Sequence, residues 1–268
     1  MKISFSTLAC PNWTFAEIAA AAKDLGYDGI ELRGLGDEMY APALKIFDET
    51  HISSTLSKLA SLGLTIPILT SGAVLGVHSK IAAAEAEAKA YADLAAKIGA
   101  KYIRVMITPE AYPDGGDVEL FKIAYAKICE YAEGKGVVPL VETNGLFSDT
   151  ALLAKALGQI DSQNKGALWD VNHTCRYNNE SPEQSIKNIG GYIKHVHLKD
   201  SLIQKGVPAY KMLGYGDIPV FNAVKRLEAL AYSGYYSLEW VKRWRSDLEE
   251  PGVVLSHFIS ALSAIKNQ

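Results

Sequence analysis

The chain of 268 residues predicts an α/β fold of the (β/α)8, or TIM-barrel, class, built as a single domain over residues 1–268. Three observations carry that prediction. A short apolar run followed by a helical pattern recurs eight times, at the roughly 25–40-residue spacing of a strand–helix unit. The stretch after the first run reads Leu8-Ala-Cys-Pro-Asn-Trp13, where a doubly wound open sheet would usually carry a Gly-rich phosphate turn. Four of the runs finish on a metal-capable side chain: Val137-Val-Pro-Leu-Val-Glu142, Ala167-Leu-Trp-Asp170, Ile193-Lys-His-Val-His197 and Tyr235-Tyr-Ser-Leu-Glu239. The carboxyl ends of barrel strands are where such folds keep their chemistry.

The elements follow in order. Residues 2–7 form the first strand. A helix over 14–26 opens on the capping box Thr14-Phe-Ala-Glu17 and stops at Gly26. The second strand is 28–33, and 34–50 is a longer excursion that a barrel places over its C-terminal mouth. Strand three is 64–70. Residues 79–98 are helix, because their alanine, glutamate and lysine have high intrinsic helix propensity. Strand 101–106 leads to helix 117–134, with Val118, Phe121, Ile123, Ala124 and Ile128 at helical spacing. Strand 137–143, helix 148–160, strand 166–171 and helix 182–190 come next. Strand 193–199 precedes a second mouth excursion, 200–218. Helix 219–231, strand 235–241 and helix 250–266 complete the set.

Composition narrows the function. Apolar residues make up 49% of the chain, ample for a core. The 27 basic and 30 acidic residues give a net charge of -3 with no basic block, which argues against nucleic-acid and anionic-membrane partners. No run reaches the ~18 apolar residues of a membrane span. Cys10, Cys129 and Cys175 are odd in number and far apart, which fits a reducing cytoplasm and neither a disulfide framework nor a zinc knuckle. Met1-Lys-Ile-Ser-Phe5 enters strand-like sequence directly, with no secretory signal. The expected location is therefore cytoplasmic, and the glycosylation patterns at Asn12, Asn172 and Asn179 are chance matches.

Strand side chains alternate, so one inward residue fixes those two positions away. If Glu142 points inward, so do Leu140 and Asn144. His197 brings His195 and Lys199, and Glu239 brings Ser237. Glu31 shares a face with Arg33, and Arg104 with Tyr102 and Met106. A buried unpaired carboxylate costs several kcal/mol, so it protonates, pairs or binds a cation. A single inward glutamate is explained as well by an ion pair with Arg104 or Lys199 as by ligation. Four candidates together, Glu142, Asp170, His197 and Glu239, favour a divalent metal site. This mostly oxygen-donor set without thiolate suits one Mn2+ or Mg2+ ion, with Co2+ or Zn2+ as alternatives. His195 is either a core histidine or a support behind the ligands. His173 is a substrate-binding candidate or a loop histidine. His51, His78 and His257 are structural or surface residues. Cys175 lacks an activating partner in the sequence, and Gly34-Leu-Gly36 and Gly214-Tyr-Gly216 are too short to bind a dinucleotide.

The segments Gly29-Ile-Glu-Leu-Arg33, Val141-Glu-Thr-Asn144, Trp169-Asp-Val-Asn-His173, His195-Val-His-Leu-Lys-Asp200, Leu213-Gly-Tyr-Gly-Asp-Ile-Pro219 and Ser237-Leu-Glu-Trp240 give the chain a familiar pattern. Over essentially its whole length it resembles the xylose-isomerase-like TIM-barrel superfamily of sugar phosphate isomerases/epimerases, inosose dehydratases and endonuclease IV-type proteins. The resemblance implies that Glu142, Asp170, His197 and Glu239 hold one divalent metal. It further implies that Glu142 and Glu239 double as acid/base groups, and that His173 contacts substrate hydroxyls. The DNA-repair branch would want a histidine where Arg104 stands and an Asp-x-His motif after the seventh strand. Both are missing, so nucleic acid is not the expected substrate.

The expected reaction is isomerisation or epimerisation of a keto-sugar. The metal chelates a carbonyl and the adjacent hydroxyl, and stabilises the enediolate formed when one glutamate removes the neighbouring proton. The other glutamate returns a proton from the opposite face, or the proton returns to the adjacent carbon. Lys199, Arg104, Glu31, Arg33 and Asn144 are candidates to bind the substrate's hydroxyls or a phosphate. Trp13, Tyr215 and Trp244 are candidate walls for the sugar ring. Lacking a Gly-rich cradle, the sequence leans towards an unphosphorylated sugar. The alternative is an inosose-type dehydratase in which Lys199 or His195 protonates a departing hydroxyl, and behind that a non-catalytic sugar-binding barrel. Homo-oligomerisation is left open.

Overall fold

The computed structural model describes residues 1–266. In chain order the main elements are β1 (Lys2–Ser6), α1 (Phe15–Leu25), β2 (Gly29–Glu31), α2 (Ile52–Leu62), β3 (Ile68–Val74), α3 (Ile81–Ile98), β4 (Tyr102–Met106), α4 (Val118–Glu133), β5 (Val138–Glu142), α5 (Thr150–Gly158) and β6 (Gly166–Asp170). Then come α6 (Val171–Asn178), α7 (Pro182–Ile189), β7 (Ile193–Leu198), β8 (Asp200–Gln204), β9 (Val207–Lys211), α8 (Val220–Ala229), β10 (Tyr235–Leu238) and α9 (Pro251–Lys266). One eight-stranded sheet runs β2-β1-β10-β7-β6-β5-β4-β3, and β8 and β9 form a separate antiparallel pair. That is the strand order of the predicted (β/α)8 class. Among the described residues, no helix is long and apolar enough to cross a membrane.

The chain divides into two compact units, Met1–Pro67 with His197–Gln268, and Ile68–Val196. In the first, β1 pairs in parallel with both β2 and β10. The far edge of β2 is met by Thr65, which donates to the Asp28 carbonyl at 3.2 Å and accepts from Ile30 N at 2.9 Å. This isolated bridge explains why the third strand starts later than its apolar run suggests. Pro67 has no N–H to continue a ladder, and β3 begins at Ile68. Thr14 and Glu17 close the expected capping box on α1, and Gly26 ends it with φ 81°.

In the second unit β3, β4, β5 and β6 form successive parallel ladders. Ile68, Leu140 and Leu168 form a buried layer, with Tyr102 and Val138 packed against it. Gly166 is required there, since a Cβ would lie 2.7 Å from Leu140 Cδ2. Two residues further along the same faces, Leu140 gives way to Glu142 and Leu168 to Asp170. The apolar layer thus seats each strand, and the period of two delivers a carboxylate to its end. Helix α3 buries Ala84, Ala88, Ala92 and Ala95 along one stripe. Helix α4 buries Phe121, Ala124, Tyr125 and Ile128, but Ile123 is 60% exposed and does not belong to the expected apolar face.

Three further elements lie where the sequence suggests none. Helix α2 follows the first excursion; its Ser and Thr content masks it, and it buries only Ile52 and Leu59. Helix α6 starts directly at the end of β6, and the second excursion folds into the β8–β9 hairpin.

Candidate functional site

In the unit Ile68–Val196, Arg104 and Glu142 meet. Arg104 Nη1 donates to Glu142 Oε2 at 3.0 Å, while its Nε and Nη2 donate to the Ser71 carbonyl at 3.2 and 2.7 Å. The guanidinium is pinned by backbone and holds one carboxylate oxygen. The other, Glu142 Oε1, faces His173 Nδ1 at 3.8 Å. Asp170 ends β6 and caps α6: its Oδ1 accepts from His173 N at 2.9 Å, and Oδ2 lies 3.6 Å from His173 Nε2. Capping explains why Asp-x-x-His is a usable spacing. The N-cap carboxylate reaches the amide three residues on, so the imidazole of that residue returns over the same carboxylate. Asp170 N also donates to Thr143 Oγ1 at 2.8 Å, locking the ends of β5 and β6 together. Asn144 turns to the loop after β4, donating from Nδ2 to the carbonyls of Thr108 and Glu110 at 3.0 and 3.3 Å.

In the other unit, His197 lies between two carboxylates. Glu31 Oε2 is 3.0 Å from His197 Nε2, and Glu239 Oε1 is 3.5 Å from His197 Nδ1. Lys199 Nζ donates to Glu239 Oε2 and lies 6.0 Å from the centre of the Tyr210 ring on β9. Glu31, His197, Lys199 and Glu239 are all buried, as are Arg104, Glu142, Asp170, His173 and His195. Arg33 donates instead to the Met39 carbonyl at 3.3 Å, bracing the loop after β2. Tyr215 and Trp244 are exposed and Trp13 is partly buried. His51 and His78 pair with Asp48 and Asp117 at the surface, and His257 Nε2 lies 2.8 Å from the Leu213 carbonyl.

One residue the sequence shows but gives no role is Asp200. Its carboxylate is buried, and four backbone N–H groups donate to it: Ser201 and Ile218 to Oδ1 at 2.8 and 3.1 Å, Gly214 and Gly216 to Oδ2 at 2.9 Å each. Burial pushes its carboxyl up from the ordinary aspartate range, against the pull of those donors. Gly216 is fixed by this contact, because a Cβ there would lie 2.0 Å from Asp200 Oδ1. The Leu213–Pro219 motif is therefore a loop wrapped on one aspartate, legible only once the segments after β7 and before α8 are brought together.

Among the described residues, the side chains grouped closely enough to ligate a divalent cation are Glu142, Asp170 and His195 in one unit, and Glu31, His197 and Glu239 in the other. Their chemistry fits such an ion. Within the unit Ile68–Val196, Arg104 pairs with Glu142, and Asp170 caps α6 beside His173. Within the other, Glu31 and Glu239 flank the imidazole of His197, and Lys199 holds Glu239. Buried carboxylates gathered in this way are stabilised by a cationic side chain, a proton or a metal. Two of the three thiols are buried and unreactive. Burial pushes Cys10 and Cys129 up to about 12, so neither is a thiolate near neutrality.

Residues 19–256 match the family described as xylose isomerase-like TIM barrel. Fructoselysine 3-epimerase of Escherichia coli O157:H7 is 23% identical over 245 residues, 84% of this chain and 85% of that protein. Among solved structures, the probable 3-DHS dehydratase AsbF of Bacillus anthracis superposes with a TM-score of 0.81 at 19% identity, covering 98% of this chain and 99% of that one. The IOLI protein with a bound zinc atom gives 0.77 at 17% identity, covering 99% and 98%. A xylose isomerase-like TIM-barrel protein of Mycobacterium smegmatis in complex with magnesium gives 0.75 at 16% identity, covering 98% and 96%. At these identities the structural likeness speaks for the fold alone.

Proposed function

From the premise that this chain belongs to the xylose isomerase-like TIM-barrel family, we propose that it is a sugar isomerase or epimerase. Its substrate is a keto-sugar, and it depends on one divalent cation held by Glu142, Asp170, His197 and Glu239. The observation that carries this reading is the matched setting of the two glutamates. Each stands at the carboxyl end of a strand or just past it. Each has Oε2 on a fixed cation, Arg104 or Lys199, and Oε1 turned to an imidazole nitrogen. A carboxylate held at one oxygen is oriented and can turn the other oxygen to a substrate C–H, the geometry that proton transfer from carbon needs. The family relationship to fructoselysine 3-epimerase supports the substrate class.

When bound, the cation would polarise the substrate carbonyl and stabilise the negative charge that develops on its oxygen. The protein's own groups do the rest. One of Glu142 and Glu239 removes the proton beside the carbonyl. For epimerisation the other delivers a proton to the opposite face. Arg104 and Lys199 hold these carboxylates in place and present N–H donors to substrate oxygens, and His173 offers a ring nitrogen to a hydroxyl. The oxygen-rich ligand set favours Mn2+ or Mg2+.

A second reading, dehydration of a keto-sugar, is favoured by the direct contact of Lys199 Nζ with Glu239, which puts an acid beside a base. Proton removal is common to both reactions, so one experiment tests both. The protein is incubated with a panel of keto-sugars and Mn2+ in D2O and followed by proton NMR and ultraviolet absorbance. Deuterium entering beside the carbonyl with a new epimer supports the first reading, and a growing enone band supports the second. No exchange with any sugar, together with no metal taken up by the wild type, would overturn both and leave a non-catalytic binding barrel.

A further inference from the structure

Glu31 can be given a narrower role than substrate binding. It ends β2 fully buried, and its Oε2 lies 3.0 Å from Nε2 of an equally buried imidazole, His197. A neutral imidazole carries its proton on one nitrogen only. A carboxylate against Nε2 selects the tautomer with the proton there and leaves the lone pair on Nδ1. Nδ1 is the nitrogen on the Glu239 side, 3.5 Å from Oε1. The two contacts therefore divide the ring. One edge is bound to a carboxylate that fixes its proton, and the other is turned to the carboxylate proposed to share the cation.

The neighbouring sequence makes room for this arrangement. On β1, Ser4 pairs with Gly29 and Ser6 with Glu31, and across the other ladder Ser4 pairs with Ser237 of β10. Ser4, Ser6 and Ser237 are wholly buried, and the hydroxyls of Ser4 and Ser237 make no hydrogen bond among the described residues. A run of small residues on this face gives the longer Glu31 side chain space to reach His197. A buried carboxylate has to be explained by what it touches, and Nε2 of His197 is at hydrogen-bond distance from Glu31 Oε2.

We infer that Glu31 is the positioning residue for the metal ligand His197. It holds the ring orientation and the Nε2–H tautomer, and it raises the donor strength of Nδ1, the arrangement by which outer carboxylates tune metal-bound histidines. The inference rests on the metal site proposed above, and it assigns to Glu31 no contact with substrate.

The test uses the full chain with 15N-labelled histidine, as wild type, Glu31→Gln and Glu31→Ala. The glutamine keeps an acceptor oxygen of nearly the same shape, whereas alanine removes it. Two quantities are read: the protonation of the two His197 ring nitrogens by NMR without metal, and Mn2+ affinity from the electron paramagnetic resonance of free Mn2+. The expected result is Nε2–H with bare Nδ1 in the wild type. Mn2+ binding should weaken in the order glutamate, glutamine, alanine, reaching about 10–100-fold for alanine. A purely structural side chain would not produce that graded loss together with a change of tautomer. Circular dichroism checks folding, and if the alanine variant fails to fold, the glutamine variant decides alone. Wild-type binding of Mn2+ with both variants within twofold of it would overturn the inference and leave the metal site standing. An imidazolium protonated on both nitrogens would overturn it in favour of a plain ion-pair cluster. No uptake of Mn2+ by the wild type would overturn the metal site itself and this inference with it.

Discussion

Lys199 and Arg104 bear on stability and chemistry through the carboxylates they hold. Lys199 Nζ lies on Glu239 in a buried setting, so Lys199→Met leaves a carboxylate behind without its ammonium. Breaking a buried pair from one side costs about 3–5 kcal/mol. Urea unfolding should therefore show Lys199→Met less stable by roughly 3 kcal/mol, with part of the loss recovered when Glu239→Gln is added. The single change Glu239→Gln tests the chemistry. General acid–base groups contribute about 10²–10⁴-fold, so solvent exchange at the substrate carbon should fall by at least about a hundredfold while the fold stays intact. Exchange retained within threefold would remove Glu239 from the proton path.

At the scale of elements, the loop Leu213–Ile218 depends on Asp200. In Asp200→Asn an amide N–H2 replaces an oxygen that accepts from two backbone donors, whichever way the amide is turned. Hydrogen bonds to a charged group contribute about 1.5–3 kcal/mol each. The variant should lose about 2 kcal/mol or more, and the amides of Gly214 and Gly216 should exchange with solvent faster. The start of α2 supplies a pH-dependent counterpart. The Thr50 hydroxyl and His51 hold the Asp48 carboxyl down from 3.8 to about 2. A depressed pKa contributes stability that is present above the unfolded value of 3.8 and lost as the pH falls through about 2. Asp48→Asn should lower stability at neutral pH, where that contribution is present, and flatten the acid limb of the curve, the two proteins converging as the pH falls through that window, as followed by circular dichroism. Both elements show where sequence pattern ends. The eight apolar runs, the capping box on α1 and the carboxylates at strand ends are local signals with a fixed period, and they were legible. Helix α2 has too few buried apolar residues to set a period. The wrapping of Leu213–Ile218 on Asp200 joins residues 14 to 18 positions apart through backbone N–H groups, which carry no mark in the sequence. The partners of Glu31 and Arg33 were hidden for the same reason: alternation shows that the two share a face, but not that one meets His197 and the other the Met39 carbonyl.

For the whole molecule, the proposed cation makes stability depend on metal. Its ligands run from Glu142 to Glu239 in the chain, and an unfolded chain does not present them together, so the ion binds the folded state selectively. At a free concentration of about 100 times the dissociation constant this linkage contributes roughly 2.7 kcal/mol, which for a chain of this size raises the melting temperature by about 5–10 °C. Calorimetry after chelation should show the midpoint lowered by that amount and restored by Mn2+. Glu142→Ala separates the metal from the rest of the site. It deprives Arg104 of its carboxylate and so lowers the midpoint at the outset, but its distinguishing mark is that added Mn2+ no longer moves it. A metal-dependent shift that survives in Glu142→Ala would place the ion elsewhere in the molecule. A wild-type midpoint indifferent to chelator and to Mn2+ would mean that the buried carboxylates are balanced by protons and by Arg104 and Lys199 alone.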